Sequence, residues 1–161
     1  MEEKYKTWKN LNGVTYSESI KDLLEDAICR ELSAGHELKV CIGSDSHVYG
    51  NEVNYATAIV VVRKGKGAFA FLHTERVKEK ISLKERLLNE VVRSVEVTYN
   101  VYSILDLYRI DLEVHADINS AEDHKSSMVL KEAMGYVLGM GYKFIAKPYA
   151  FASSSCADWV A

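Results

Sequence analysis

Proline is nearly missing from this sequence: Pro148 is the single one among 161 residues, and no serine- or glycine-rich stretch reads as a linker. A chain of this length without internal punctuation is expected to form one domain, 1–161, with room for a sizeable core. Cysteine is scarce as well. Cys29, Cys41 and Cys156 are odd in number and form no C-x-x-C pair, which argues against a disulfide framework or a zinc–thiolate site. Cys29 and Cys41 read as small buried hydrophobes. No apolar run approaches the roughly 18 residues a membrane span needs. The opening MEEKYKTWKN has no apolar signal core, so a cytoplasmic protein with no membrane partner is expected. Excess positive charge is also lacking: 20 Lys and Arg against 23 Asp and Glu give a net charge of -3. That excludes a uniformly basic nucleic-acid coat but leaves room for a local basic patch.

What is present is an ordinary globular mixture, 48% apolar and 27% charged, too hydrophobic for a disordered chain. Residues 1–16 read as an irregular polar arm. An extra helix is predicted over 17–34, with Ser17 as its cap, an apolar stripe through Ile20, Leu23, Leu24, Ala27, Ile28 and Leu32, and Gly35 as its stop. Strands are predicted at 38–43, 54–63 and 68–77, the last two joined by a KGKG turn at 64–67. Ser82 and Glu85 have capping-box spacing at the head of a long helix reaching about Leu105. A strand at 111–116, a helix at 121–139, a strand at 143–147 and a short terminal helix complete the order. Three strands in a meander followed by a strand–helix–strand unit predict an α/β fold with one mixed sheet and helices on its faces.

Two acids fall at predicted strand ends, Asp45 in IGSDSH and Asp117 in VHADIN. If their strands are parallel neighbours, the carboxylates meet where α/β sheets place ligands. Two close carboxylates raise each other's pKa unless a cation lies between them, and Mg²⁺ or Mn²⁺ suits oxygen donors. Asp158, in CADWVA, and a glutamate of the long helix are the further candidates. Glu90 lies on the apolar line of Leu83, Leu87, Ser94 and Val97, whereas Glu85 is already explained by capping; Glu90 is preferred and Glu85 stays open. Around the acids, Ser46, His47, Asn119 and Lys125 are candidate substrate contacts. Lys125 belongs to an HKSS run able to cap a helix and touch phosphate. Lys78, Lys80 and Lys84, with Arg76 and Arg86, form a basic cluster suited to a nucleic-acid backbone. His47, His115 and His124 match no zinc spacing, and His115 reads either as a residue supporting the ligands from behind or as a hydrogen-bonded core histidine.

The ordered set resembles the ribonuclease H-like superfamily: strand with Asp, hairpin, helix with Glu, strand with Asp, last helix with Asp. SLKERLLNEVVRSVEV, EVHADIN, HKSS, GYVLGMGYKFIAKPYAF and SSSCADWV look like the bacterial YkuK-type proteins of that superfamily, over about 14–161. The resemblance implies a five-stranded mixed sheet of order 3-2-1-4-5 flanked by helices, and a nucleic-acid partner. It also implies phosphodiester hydrolysis with two Mg²⁺ or Mn²⁺ ions roughly 3.5–4 Å apart. Asp45 would bridge both metals, Glu90 (or Glu85) and Asp117 would complete one site, and Asp158 would hold the other. The loop KPYAFASSS carries Tyr149 and no histidine, a departure from ribonuclease H proper, so hybrid specificity is not implied. Two other readings share the fold: a non-catalytic nucleic-acid-binding or assembly module, and an Mg²⁺-dependent nucleotide phosphohydrolase. An actin-type ATPase would need two such domains and glycine-rich phosphate loops, and no G-x-x-x-x-G-K-[ST] loop is present.

Overall fold

The computed structural model describes residues 6–119, 124–147 and 149–152. Its elements run β1 (Trp8–Lys9), β2 (Thr15–Tyr16), α1 (Ile20–Ser33), β3 (Leu38–Tyr49), β4 (Glu52–Arg63), β5 (Ala68–Lys78), α2 (Leu83–Leu107), β6 (Asp111–Asn119), α3 (His124–Gly139) and β7 (Lys143–Lys147). The expected α/β architecture with a mixed sheet is present, but the sheet has seven strands rather than five, in the order β2-β1-β5-β4-β3-β6-β7. The five long strands keep the expected order. The two additional ones come from the arm, whose polar composition predicts an irregular segment. β1 and β2 pair as a small hairpin, and Lys9 joins the β5 edge opposite Leu72. Trp8, buried beneath that hairpin in the main core, holds the arm in place. A two-residue strand is too short to show a period, so polarity hid it.

The α1 cap is Ser19 rather than Ser17, its hydroxyl accepting from the Asp22 amide at 3.2 Å. A cap satisfies amides of the first turn, and that turn starts at Ile20, the first buried residue of the stripe. Ser82 caps α2 as its spacing suggests, accepting from the Glu85 amide at 3.2 Å. Gly65 and Gly67 take positive φ in the KGKG turn, where a side chain would be strained.

The largest departure is the length of β3. It runs past Gly43 to Tyr49, paired with β4 along its whole length, and turns through Gly50 and Asn51. Gly-Asn between two strands is a hairpin signal. β3 therefore carries Asp45 inside the strand rather than at its end. Side chains alternate across it. Val40, Ile42, Ser44 and Ser46 face α2, whereas Cys41, Gly43, Asp45 and His47 face the other way. All three described helices pack on the first face. α1 and α2 cover Val40, Ile42, Ile59 and Val61, while α2 and α3 cover Val114, Ala116 and Ile118. The second face is lined by Cys41, Ala56, Ala58, Val60, Ala70 and Leu72, against which Phe151 and Ala152 pack.

Trp8→Ala is expected to lower stability by about 3–5 kcal/mol, read as a shift of the urea midpoint. An unchanged midpoint would return the arm to the irregular role its composition suggested.

Candidate active site

β3 and β6 run parallel, in register from Lys39↔Asp111 to Ser44↔Ala116. One step beyond the last pair stand Asp45 and Asp117, on the face opposite the helices. β6 also shifts register against β7 between Ala116 and Asn119. The two carboxylates thus lie where the sheet stops being continuously hydrogen-bonded. Asp45 is 8% exposed, and His47 Nε2 is 3.8 Å from its Oδ2. Two acids on adjacent strands and the same face, one of them buried, make a site for positive charge. An all-oxygen donor pair fits a hard divalent cation such as Mg²⁺ or Mn²⁺.

Glu90 approaches the same stretch of β3 from the helix side. It is 3% exposed, and the Ser46 hydroxyl donates to its Oε1 at 2.5 Å. Arg86, one helical turn earlier, donates from Nη1 to the Ser46 carbonyl at 3.1 Å and to the Ser46 hydroxyl at 3.2 Å. This network ties α2 to the residue next to Asp45. Close packing of α2 here relies on hydroxyls: Ser44 bonds Ser94 at 2.7 Å and Thr57 at 2.9 Å. Glu85 is exposed at the head of α2, with its backbone amide used by the cap.

The other candidates disperse. Ser46 is buried and faces α2, so it braces Glu90 rather than lining the Asp45 face. Lys84 pairs with Glu132 of α3 at 2.9 Å. Lys78 and Lys80 are exposed and take part in no ion pair among the described residues. Lys80 and Arg86 line a cavity of about 350 Å³ with Val48, Gly50 and Glu79. The backbone of Asn119 ends β6 and that of Lys125 lies in the first turn of α3. Their side chains, like Asp158 and the predicted terminal helix, fall outside the described residues. Cys29, expected to be buried, is exposed and donates to the Tyr108 hydroxyl at 3.3 Å.

A second constellation lies two to four residues earlier along β3 and β6, on the Asp face. Cys41, Glu113 and His115 bring a thiol, a carboxylate and an imidazole within 4.8 Å of one another, a possible metal-binding cluster. The hydrogen bonds define its present state. The Ala152 amide donates to His115 Nδ1 at 3.2 Å, so that nitrogen keeps its lone pair. Nε2 then carries the proton of the neutral ring and donates to Glu113 at 3.0 Å. In this tautomer no ring nitrogen has a lone pair left for a metal. Burial pushes His115 below its ordinary pKa, against the pull of Glu113. Burial alone would raise Glu113, but the bond from His115 and the charge of Lys39 outweigh it and hold it low. The ring also meets Phe151 edge-on at 4.7 Å. His115 thereby anchors the segment after β7 to the sheet beside Asp117, the hydrogen-bonded core role its sequence position suggested.

The model of the family described as Ribonuclease H-like matches residues 20–161. The chain belongs to the ribonuclease H-like family. It is also 30% identical over 134 residues to "Uncharacterized protein YkuK" of Bacillus subtilis (strain 168), covering 73% of this chain and 75% of that protein. A ribonuclease H-like fold is a nuclease-type fold, which relates the protein to nucleic acids and divalent metals. Among the described residues no helix is long and apolar enough to cross a membrane.

A strand expected to end at Gly43 leaves Tyr49 in a loop with no link to Arg76. The signal was present in Gly50-Asn51, which extends both flanking strands.

His115→Ala strands the Ala152 amide and leaves Glu113 to Lys39 and Cys41. A loss of roughly 2–4 kcal/mol is expected, measurable by urea unfolding. A loss below about 0.5 kcal/mol, the range of ordinary surface substitutions, would show that the anchor carries no weight.

Proposed function

We propose that this protein is a metal-dependent nuclease that hydrolyses phosphodiester bonds of RNA, DNA or a hybrid by a two-metal-ion mechanism, as a single cytoplasmic domain. The observation that supports this reading is the register of β3 and β6, whose alternation puts Asp45 and Asp117, one step past the last pair Ser44↔Ala116, on one sheet face. Membership of the ribonuclease H-like family supports it.

Asp45 and Asp117 would hold two Mg²⁺ or Mn²⁺ ions, with Asp158 as a further ligand and Glu90 as one that would have to turn from its Ser46 bond on the helix side to reach them. When bound, such ions neutralise phosphate charge and acidify the attacking water. The chain's own residues do the positioning. Asp45 is buried and Asp117 half-buried, so both carboxylates would be held in place for the ions. His47, 3.8 Å from Asp45, stands where it can hydrogen-bond a phosphate oxygen. Asn119, Lys125, Lys78 and Lys80 supply further polar contacts to the strand, while Ser46 and Arg86 hold Glu90 in its rotamer. The water oxygen bonds to phosphorus, the bond to O3′ breaks, and O3′ takes up a proton. The products are a 5′-phosphate and a 3′-hydroxyl.

Labelled RNA, DNA and hybrid are incubated with Mn²⁺ or Mg²⁺. Asp45→Asn and Asp117→Asn are each expected to lose at least about a hundredfold in rate, the scale of a lost charge-stabilising group, with the fold intact by circular dichroism. EDTA is expected to abolish cleavage. Polymers left intact by a folded, metal-binding protein would sink the proposal, in favour of a nucleotide phosphohydrolase if small substrates are cut and of a binding module if none is.

The helix ligand has its own test. Glu90→Gln is expected to fall with the aspartate variants, whereas Glu85→Gln keeps wild-type rates. The reverse order would exchange their roles.

A further inference from the structure

The hairpin that carries β3 past the acid pair has a surface of its own. β3 and β4 pair through His47↔Asn54 and Tyr49↔Glu52, and β5 continues the rows with Asn54↔Arg76 and Glu52↔Lys78. Alternation puts His47, Tyr49, Arg76 and Lys78 on the face that carries Asp45. The His47 and Tyr49 rings lie 6.4 Å apart and nearly parallel, at 20°. The Arg76 guanidinium sits 6.0 Å over the Tyr49 ring, and Glu52 holds Arg76 from 3.6 Å. Tyr49 is 51% exposed and the Arg76 side chain 62%. At the rise of a strand, Tyr49 lies about 13 Å along β3 from Asp45.

We propose that this row is a binding platform for single-stranded nucleic acid, leading an unpaired strand to the Asp45–Asp117 corner. It rests on the nuclease reading for its purpose and deepens it by naming the substrate class. Aromatic and guanidinium planes at an exposed hairpin are a stacking surface for bases, and Arg76 and Lys78 supply charge for the flanking phosphates. A duplex keeps its base faces stacked internally and would offer this row only phosphates.

The test is fluorescence anisotropy with labelled DNA and RNA strands of about 12 nucleotides and the matching duplexes. EDTA is present so that nothing is cut. Wild type is expected to prefer the single strand, and running DNA beside RNA assigns the sugar. Tyr49→Ala is expected to lose about tenfold in single-strand affinity, Tyr49→Phe to stay near wild type, and duplex binding to ignore both. Tyr49→Ala binding like wild type, with its fold confirmed by circular dichroism, overturns the platform, as does a preference for duplex. Tyr49-dependent binding without cleavage of any polymer leaves the platform standing and removes the nuclease. Cleavage by a protein whose strand affinity ignores Tyr49 does the reverse.

Discussion

The parallel hydrogen bonding of β3 to β6 is the constraint on which the candidate site depends. Six pairs, from Lys39↔Asp111 to Ser44↔Ala116, lock two segments that are 72 residues apart in sequence. A slip of one residue would turn Asp45 or Asp117 to the helix side, because side chains alternate along a strand. The hydrophobic faces resist such a slip. Val40 and Ile42 on β3, and Val114, Ala116 and Ile118 on β6, are all buried against helices. The same apolar packing that stabilises the sheet therefore aims both carboxylates at the opposite face.

β3 is also where the two faces differ in chemistry. On the helix side, Ser44, Ser46, Thr57, Ser94 and Glu90 form a buried polar seam whose hydroxyls bond one another and the carboxylate. Small hydroxyl side chains let α2 approach closely, and their hydrogen bonds offset the cost of burying them. Arg86 closes the seam at its solvent end and brings Glu90 to the residue beside Asp45. Tyr55 continues it onto β4, bonded to Asn89 and stacked under Arg93 at 3.7 Å. Burial, with the hydrogen bond to Glu79, pushes its phenol up to about 12.

The opposite face is lined with alanines at its centre, with one set of polar residues on the β3–β4 hairpin and another beside β6. There Glu113 is satisfied by His115, Lys39 and Cys41, and His115 spends its other nitrogen on the Ala152 amide. A fully paired imidazole of fixed tautomer is a structural device. It brings the chain that follows β7 down beside Asp117, so the shape of the acid corner depends on a residue that offers it no ligand atom.

Much of the fold was legible in the sequence. The stripe from Ile20 to Ile28, the capping pair Ser82 and Glu85, the KGKG turn and the β-branched run of β4 each carry a local signal of one or two turns of chain. Glu90 was legible in the same way, since an acid on an apolar helical line next to Ser94 has few reasons to be there. Hidden were the β1–β2 hairpin, too short for a period, and the second half of β3, whose residues SDSHVY are polar enough to pass for a loop. Local patterning thus determined which segments are helix or strand and which acids were candidates. The faces on which those acids lie, the bracing of Glu90 by Ser46 and Arg86, the paired state of His115 and the row of His47, Tyr49 and Arg76 were decided by tertiary structure alone. Each of these depends on strand register or helix packing between distant segments, and no local pattern encodes which residue will stand across from which.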